Sequence, residues 1–244
     1  MNKNPKRQTK SALNVTWYGH SAFLFETPAG KRILIDPWME NPKAPAGAKD
    51  IGKIDLILVT HGHSDHIGNT AEIAKRTNAK VVSIFELYLH FQKLGIASAM
   101  GMNKGGTMDV DGVKVTMTDA KHSADIDMEG HVSPGGEPAG FVVKFENGFI
   151  LYHAGDTALF GDMKYIAELY KPDAVFLPIG GLYTMGPREA AVACKLLKAR
   201  TVIGMHYGTF PVLTGTPAEL KSFLPATLRK AVKELEPGIT VTIS

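Results

Sequence analysis

The sequence predicts an α/β protein in which two mixed β-sheets pack together with helices outside. Three observations carry this. Strand-like runs crowd the first 60 residues, helical stretches then intersperse with strands through both halves, and two hairpin signals, Asp111-Gly112 and Asn147-Gly148, bring antiparallel pairs into the middle. With 244 residues and 44% hydrophobic content, the chain can bury a sizeable core.

In chain order, "ALNVTWY", "AFLFET" and "RILIDPW" read as three strands broken at "GHS" and "PAGK". A Pro/Gly-rich loop leads to the strand "IDLILVT", then to "HGHSDHIG", a helix "NTAEIAKRTN" and a strand "KVVSIF". "ELYLHFQKLG" reads as a helix ending on Gly, and a Gly/Met-rich stretch reads as loop. "TMDVDGVKVTMTDA" is a hairpin, 121–139 a long loop, and "GFVVKFENGFILYHAGD" a second hairpin. The remainder alternates: a helix around 161–170, strand "DAVFLPI", helix 187–199, strand "TVIGMH", a helix from 217 and the strand "ITVTIS".

The net charge of +3 is misleading. The first ten residues, "MNKNPKRQTK", hold four of the basic groups, and the rest sets 23 basic against 24 acidic residues. Residues 1–12 are expected to be a disordered basic tail and 13–244 one domain. A near-neutral body argues against nucleic acid as partner. No apolar run reaches membrane-spanning length and no signal-peptide core opens the chain, so the expectation is a cytoplasmic protein with a small-molecule substrate and no membrane partner, with room for a homo-oligomer. The lone Cys194, in a helical stretch, excludes a cysteine zinc cluster and reads as packing.

The chemistry gathers at His61, His63, Asp65 and His66. A solvated loop would use Lys, Glu and Ser; this one concentrates imidazole and carboxylate directly after a buried strand. A chain turning there can aim His61 and His63 at one ion and Asp65 and His66 at a second. His122, Asp156 and His206 each follow another β run, so all can meet at one sheet edge. Imidazole and carboxylate suit zinc, with Mn or Fe also compatible. A carboxylate can span two ions and an imidazole cannot, which singles out Asp156. Two cations sharing a water would supply a hydroxide at neutral pH, with Asp65 orienting it. Around these, Asp36 is expected to accept the spare N–H of a ligand histidine. His20 and His153 are open between contacting the site and bonding to backbone. Tyr207 is open between an oxyanion donor and a core contact, and His131 between a lid and solvent exposure.

The H-x-H-x-D-H loop with His122, "HAGDT" and His206 resembles the metallo-β-lactamase superfamily. Further, "WYGHSAFLFET", "ILIDPW", "GGEPAGFVV", "YHAGDTALFGDM", "LPIGGLYTMGP" and "HYGTFP" are similar to a bacterial and archaeal family of metal-dependent hydrolases, itself similar to the ascorbate-6-phosphate lactonase branch. The resemblance implies a four-layer αββα sandwich with metals at the edge between the sheets. It implies one ion on His61, His63 and His122, another on Asp65, His66 and His206, and Asp156 between them. The activity implied is hydrolysis of a small ester, lactone or phosphoester. A phosphodiesterase or nuclease is the nearest alternative, and a non-catalytic metal-binding protein the next. A thiolate-containing site is excluded, because the only Cys lies elsewhere.

Overall fold

The computed structural model describes residues 12–128 and 130–244; the basic tail, apart from Ala12, and the side chain of His131 lie outside the described residues. The first half carries β1 (Leu13–Trp17), β2 (Phe23–Glu26), β3 (Arg32–Ile35), β4 (Leu56–Leu58), α1 (Ser64–Ile67), α2 (Thr70–Thr77), β5 (Lys80–Ile84), α3 (Phe85–Lys93) and β6 (Ala99–Met102). The second carries β7 (Thr107–Val110), β8 (Val113–Asp119), β9 (Ile126–Met128), β10 (His131–Ser133), β11 (Ala139–Lys144), β12 (Ile150–His153), α4 (Met163–Tyr170) and β13 (Ala174–Pro178). It closes with α5 (Pro187–Leu197), β14 (Thr201–Met205), α6 (Pro217–Phe223), α7 (Ala226–Arg229), β15 (Val232–Lys233) and β16 (Thr240–Ile243).

Two seven-stranded mixed sheets result, ordered β16-β1-β2-β3-β4-β5-β6 and β15-β14-β13-β12-β11-β8-β7. Each has an antiparallel half and a parallel half; in the parallel halves helices bridge successive strands, except that a helix-free loop joins β3 to β4. The sheets meet face to face through aromatic rings. Phe23 and Phe25 of β2 lie 4.9 and 5.2 Å from Phe176 of β13, edge to face. All five residues of β13 and of β14 are buried, as expected for strands covered by a sheet on one side and helices on the other. Truncating Phe176 to Ala would cost about 3–5 kcal/mol. Among the described residues, no helix is long and apolar enough to cross a membrane.

Four expectations need correction. The stretch expected as a loop after "IDLILVT" contains α1, a short turn of helix that carries Asp65 and His66. The Gly/Met-rich stretch holds β6, which pairs in parallel with β5; Gly101 is required because a Cβ there would lie 2.7 Å from the Tyr88 ring on α3. The loop expected at 121–139 contains the β9–β10 hairpin. The helix expected from 217 stops at Leu224, extended at φ −94° and ψ 145° before Pro225, and the chain goes on through α7 to β15.

Topology positions the site. β3 and β4 are parallel, and β1 runs with β3 because both are antiparallel to β2. Likewise β12, β13 and β14 are parallel, and β8 runs with β12 because both are antiparallel to β11. His20, Asp36 and His61 thus leave the same edge of the first sheet, and His122, Asp156 and His206 the same edge of the second. Ligand sites of open α/β sheets lie at such carboxyl ends.

Candidate metal centre

The strand exits are sharply turned. His20, Asp36 and His206 take left-handed φ values of 53°, 47° and 54°. Asp and His tolerate this region better than most side chains, yet each such residue costs on the order of 1–3 kcal/mol and concentrates at functional sites. The loop after β4 is equally constrained: a Cβ on Gly62 would lie 2.4 Å from the Ala124 carbonyl oxygen.

His61, His63 and His122 form one cluster. His61 Nε2 lies 2.9 Å from His63 Nδ1, and the His122 ring sits 5.2 and 5.0 Å from their two rings. Burial pushes all three pKa values down, so the neutral, metal-binding form is favoured. Behind His61 a chain of hydrogen bonds sets the tautomer. Thr60 donates its backbone N–H and its hydroxyl to Asp36, each at 2.8 Å, leaving Oγ1 to accept from His61 Nδ1 at 3.0 Å. The proton is therefore on Nδ1, and Nε2 faces the cluster.

Asp65, His66, His206 and Asp156 form the other cluster. His66 Nδ1 donates to Asp36 at 2.8 Å, so the same buried carboxylate also orients a ring here. Asp156 Oδ2 lies 2.8 Å from His206 Nε2, 3.3 Å from His66 Nε2 and 3.7 Å from His122 Nε2, touching both clusters. Its Oδ1 is buried without a hydrogen-bond partner. Burial alone would raise the Asp156 pKa; His206 and His66 outweigh it and hold the carboxyl well below its usual range. Burial would lower His66 and His206, but Asp156 overrides it in both, with Asp36 and Asp65 adding at His66. His66 rises well above the ordinary value and His206 to about 9.

These residues fit divalent cations. Ligands held at about 2.0–2.2 Å from a tetrahedral ion lie roughly 3–3.6 Å apart, close to the spacings around Asp156 Oδ2. A bare buried carboxylate oxygen is costly unless a cation or proton meets it. Among the described residues, three groups bring their ligand atoms within 4.8 Å of one another: His61-His63-His122, His61-His66-Asp156 and His20-Asp65-His66-His206.

The beta-lactamase superfamily domain matches residues 14–206. A UPF0173 metal-dependent hydrolase of Koribacter versatilis is 50% identical over 93% of this chain and 97% of its own length. The chain belongs to this family of metal-dependent hydrolases in the beta-lactamase superfamily. Its relative in Methanosarcina barkeri is 48% identical, covering 95% of this chain and 99% of that one. The structure of Igni18, a metallo hydrolase from the archaeon Ignicoccus hospitalis, superposes with a TM-score of 0.86 at 39% identity, over 96% of this chain and 99% of that one.

In this metal-dependent hydrolase the remaining candidates separate. His20 is brought into the centre: fully buried, with Nε2 3.0 Å from Asp65 Oδ2. His153 is not among the clustered ligand atoms; Gly155 donates its N–H to Nδ1 at 3.2 Å, and the ring stacks 6.1 Å from Phe176 in the core. Burial lowers its pKa to about 4. Tyr207 makes the aromatic core contact: it stacks on Trp17 at 5.3 Å, with the Lys43 ammonium 4.6 Å above its ring. Sequence reasoning missed Thr60 and Thr209, which bond to His61 and His20. A hydroxyl residue directly before His61, at the end of a buried strand, was the available signal for Thr60.

Proposed function

We propose that the chain hydrolyses a small ester, lactone or phosphoester at a dinuclear, zinc-type centre. The observation that carries this reading is Asp156, with one oxygen within reach of three histidines drawn from both clusters and the other left bare. His61, His63 and His122 would hold one ion, Asp65, His66 and His206 the second, and Asp156 both. Bound there, two divalent cations supply a water activated near neutral pH and a Lewis acid for a carbonyl or phosphoryl oxygen. The chain's own residues do the rest. Asp36 fixes the ring orientation of one histidine per cluster, and Asp65 is assigned to orient the attacking water.

The surroundings favour a small substrate with an apolar portion. The loops after β13 and β14 expose Leu182, Tyr183, Phe210 and Val212. Phe210 stacks on Trp38 at 5.6 Å, and both rings stand edge-on to His20. A nuclease is less well supported. The cations Lys171, Lys198 and Arg200 line a cleft of about 860 Å³, but they precede β13 and β14 and so lie at the opposite sheet edge. A non-catalytic role would be accompanied by missing ligands, and all seven are present.

Elemental analysis of the purified protein is expected to find close to two divalent ions per chain, and a panel of lactones, carboxyl esters, phosphodiesters and β-lactams to find turnover that chelation abolishes. A native, folded, metal-free protein would sink the proposal.

A further inference from the structure

His20 lies 45 and 189 positions from its two side-chain partners, yet it ties together the loops that leave the two sheets. Its carbonyl oxygen accepts from the backbone N–H of His206 at 3.1 Å and from Trp17 Nε1 at 3.0 Å. Its ring makes two further contacts: Nδ1 lies 2.6 Å from Thr209 Oγ1 and Nε2 lies 3.0 Å from Asp65 Oδ2. The left-handed φ of 53° allows one residue to do both.

The chemistry of the partners assigns the protons. An ionised carboxylate only accepts, so Nε2 must carry hydrogen toward Asp65. The ring is fully buried, with its centroid 3.9 Å from that of His206, so the neutral form is favoured and Nδ1 is left as an acceptor. Thr209, itself buried, then donates its hydroxyl. Both ring nitrogens are thereby used. His20 clusters with Asp65, His66 and His206, but no ring nitrogen remains for an ion.

We infer that His20 is a positioning residue: with its tautomer set by Thr209, it holds Asp65 Oδ2 and leaves Oδ1 to face the ion and the water. This rests on the assignment of Asp65 as a ligand under the proposed function. It also gives the "GHS" turn between β1 and β2 a role in the centre, although it lies more than 40 residues before the ligand loop.

The test is a zinc titration of wild type, His20→Ala, Thr209→Val and Thr209→Ser, read by calorimetry and by bound metal after dialysis. Wild type should take up two ions. His20→Ala should weaken the second by about 10–100-fold, the usual range for a residue that orients a ligand. Thr209→Val, which preserves shape, should weaken it less, and Thr209→Ser should restore it. In the zinc-loaded protein, ¹⁵N NMR should show His20 protonated at Nε2 in wild type and a mixture of tautomers in Thr209→Val. Unchanged affinity in both His20→Ala and Thr209→Val would overturn the inference, as would a metal-coordinated nitrogen on His20. Wild type binding no zinc would instead overturn the proposed function, so the two failures are distinguishable.

Discussion

His61, His63 and His122 stand at one end of the centre with few supports: His63 and His122 are half-buried, and behind the three are Thr60 and the exposed Ser123. At the other end His66, His206 and Asp156 are almost wholly buried, and Asp36, His20 and Thr209 stand behind them and Asp65. The first end is an all-imidazole group held neutral by burial. The second pairs two carboxylates with two histidines that burial and charge pull in opposite directions. The difference teaches where the structure has invested rigidity. The charged end cannot be left loose, because an uncompensated buried carboxylate is costly, and so it is braced from both sheets.

Asp156 joins the two ends, and its removal should have the largest effect. Asp156→Ala is expected to lose at least one ion by elemental analysis and to bring hydrolysis to background. It should also leave His66 and His206 without the carboxylate that raises their pKa values. Retention of two ions with normal turnover would break the view that the ends share a ligand.

Next in size is Asp36→Asn. Asp36 accepts from Thr60 N, Thr60 Oγ1 and His66 Nδ1, and an amide would set N–H groups against some of these donors. Because it orients one ring in each cluster, both ions should bind about 10–100-fold more weakly. The folded state should lose on the order of 3 kcal/mol, read from denaturant unfolding. A loss confined to one ion would show that the Thr60 relay to His61 contributes nothing.

The two ends should also differ in their response to pH. His206 rises from 6.5 to about 9 in the folded, metal-free protein. Its stabilising contribution is therefore complete below pH 6.5 and lost as pH climbs to about 9. The metal-free protein should melt at progressively lower temperature across that window, and the loaded protein should not. A ligand imidazole must be neutral, so loading the Asp65/His66/His206 end releases protons, while the His61/His63/His122 end, with lowered pKa values, loads without doing so. Calorimetry in buffers of different ionisation enthalpy separates the two events; equal proton release from both would erase the distinction.

How much of this was legible in the sequence follows the same division. His122, Asp156 and His206 could be named because each is the first strong metal-binding side chain after a β run, and His61, His63, Asp65 and His66 because they fall within six positions. Two mixed sheets were legible from the order of strands and the two hairpin turns. The bracing was not. Thr209 meets His20 across 189 positions, because the turn after β1 in the first sheet meets the loop after β14 in the second, where the His206 N–H donates to the His20 carbonyl oxygen. Asp36 could be suspected from its place at the end of "ILID", but its double duty depends on a hydroxyl donated by Thr60. β6 and the β9–β10 hairpin escaped because Gly, Met and charged residues favour strands weakly. Their pairing is decided by neighbours distant in sequence or by the packing of 124–126 against Gly62.

The smallest effect tests the sparse end alone. Ser123 Oγ lies 3.3 Å from His63 Nε2, a long contact made by an exposed residue. A hydrogen bond open to water contributes at the low end of about 0.5–1.5 kcal/mol, because water replaces the lost partner. Ser123→Ala should therefore leave unfolding stability within about 0.5 kcal/mol and change the affinity of the His61/His63/His122 ion only a few-fold. An effect on that ion as large as that of Asp36→Asn would mean that the exposed end is braced too. The asymmetry between the clusters would then lie in their charge and not in their rigidity.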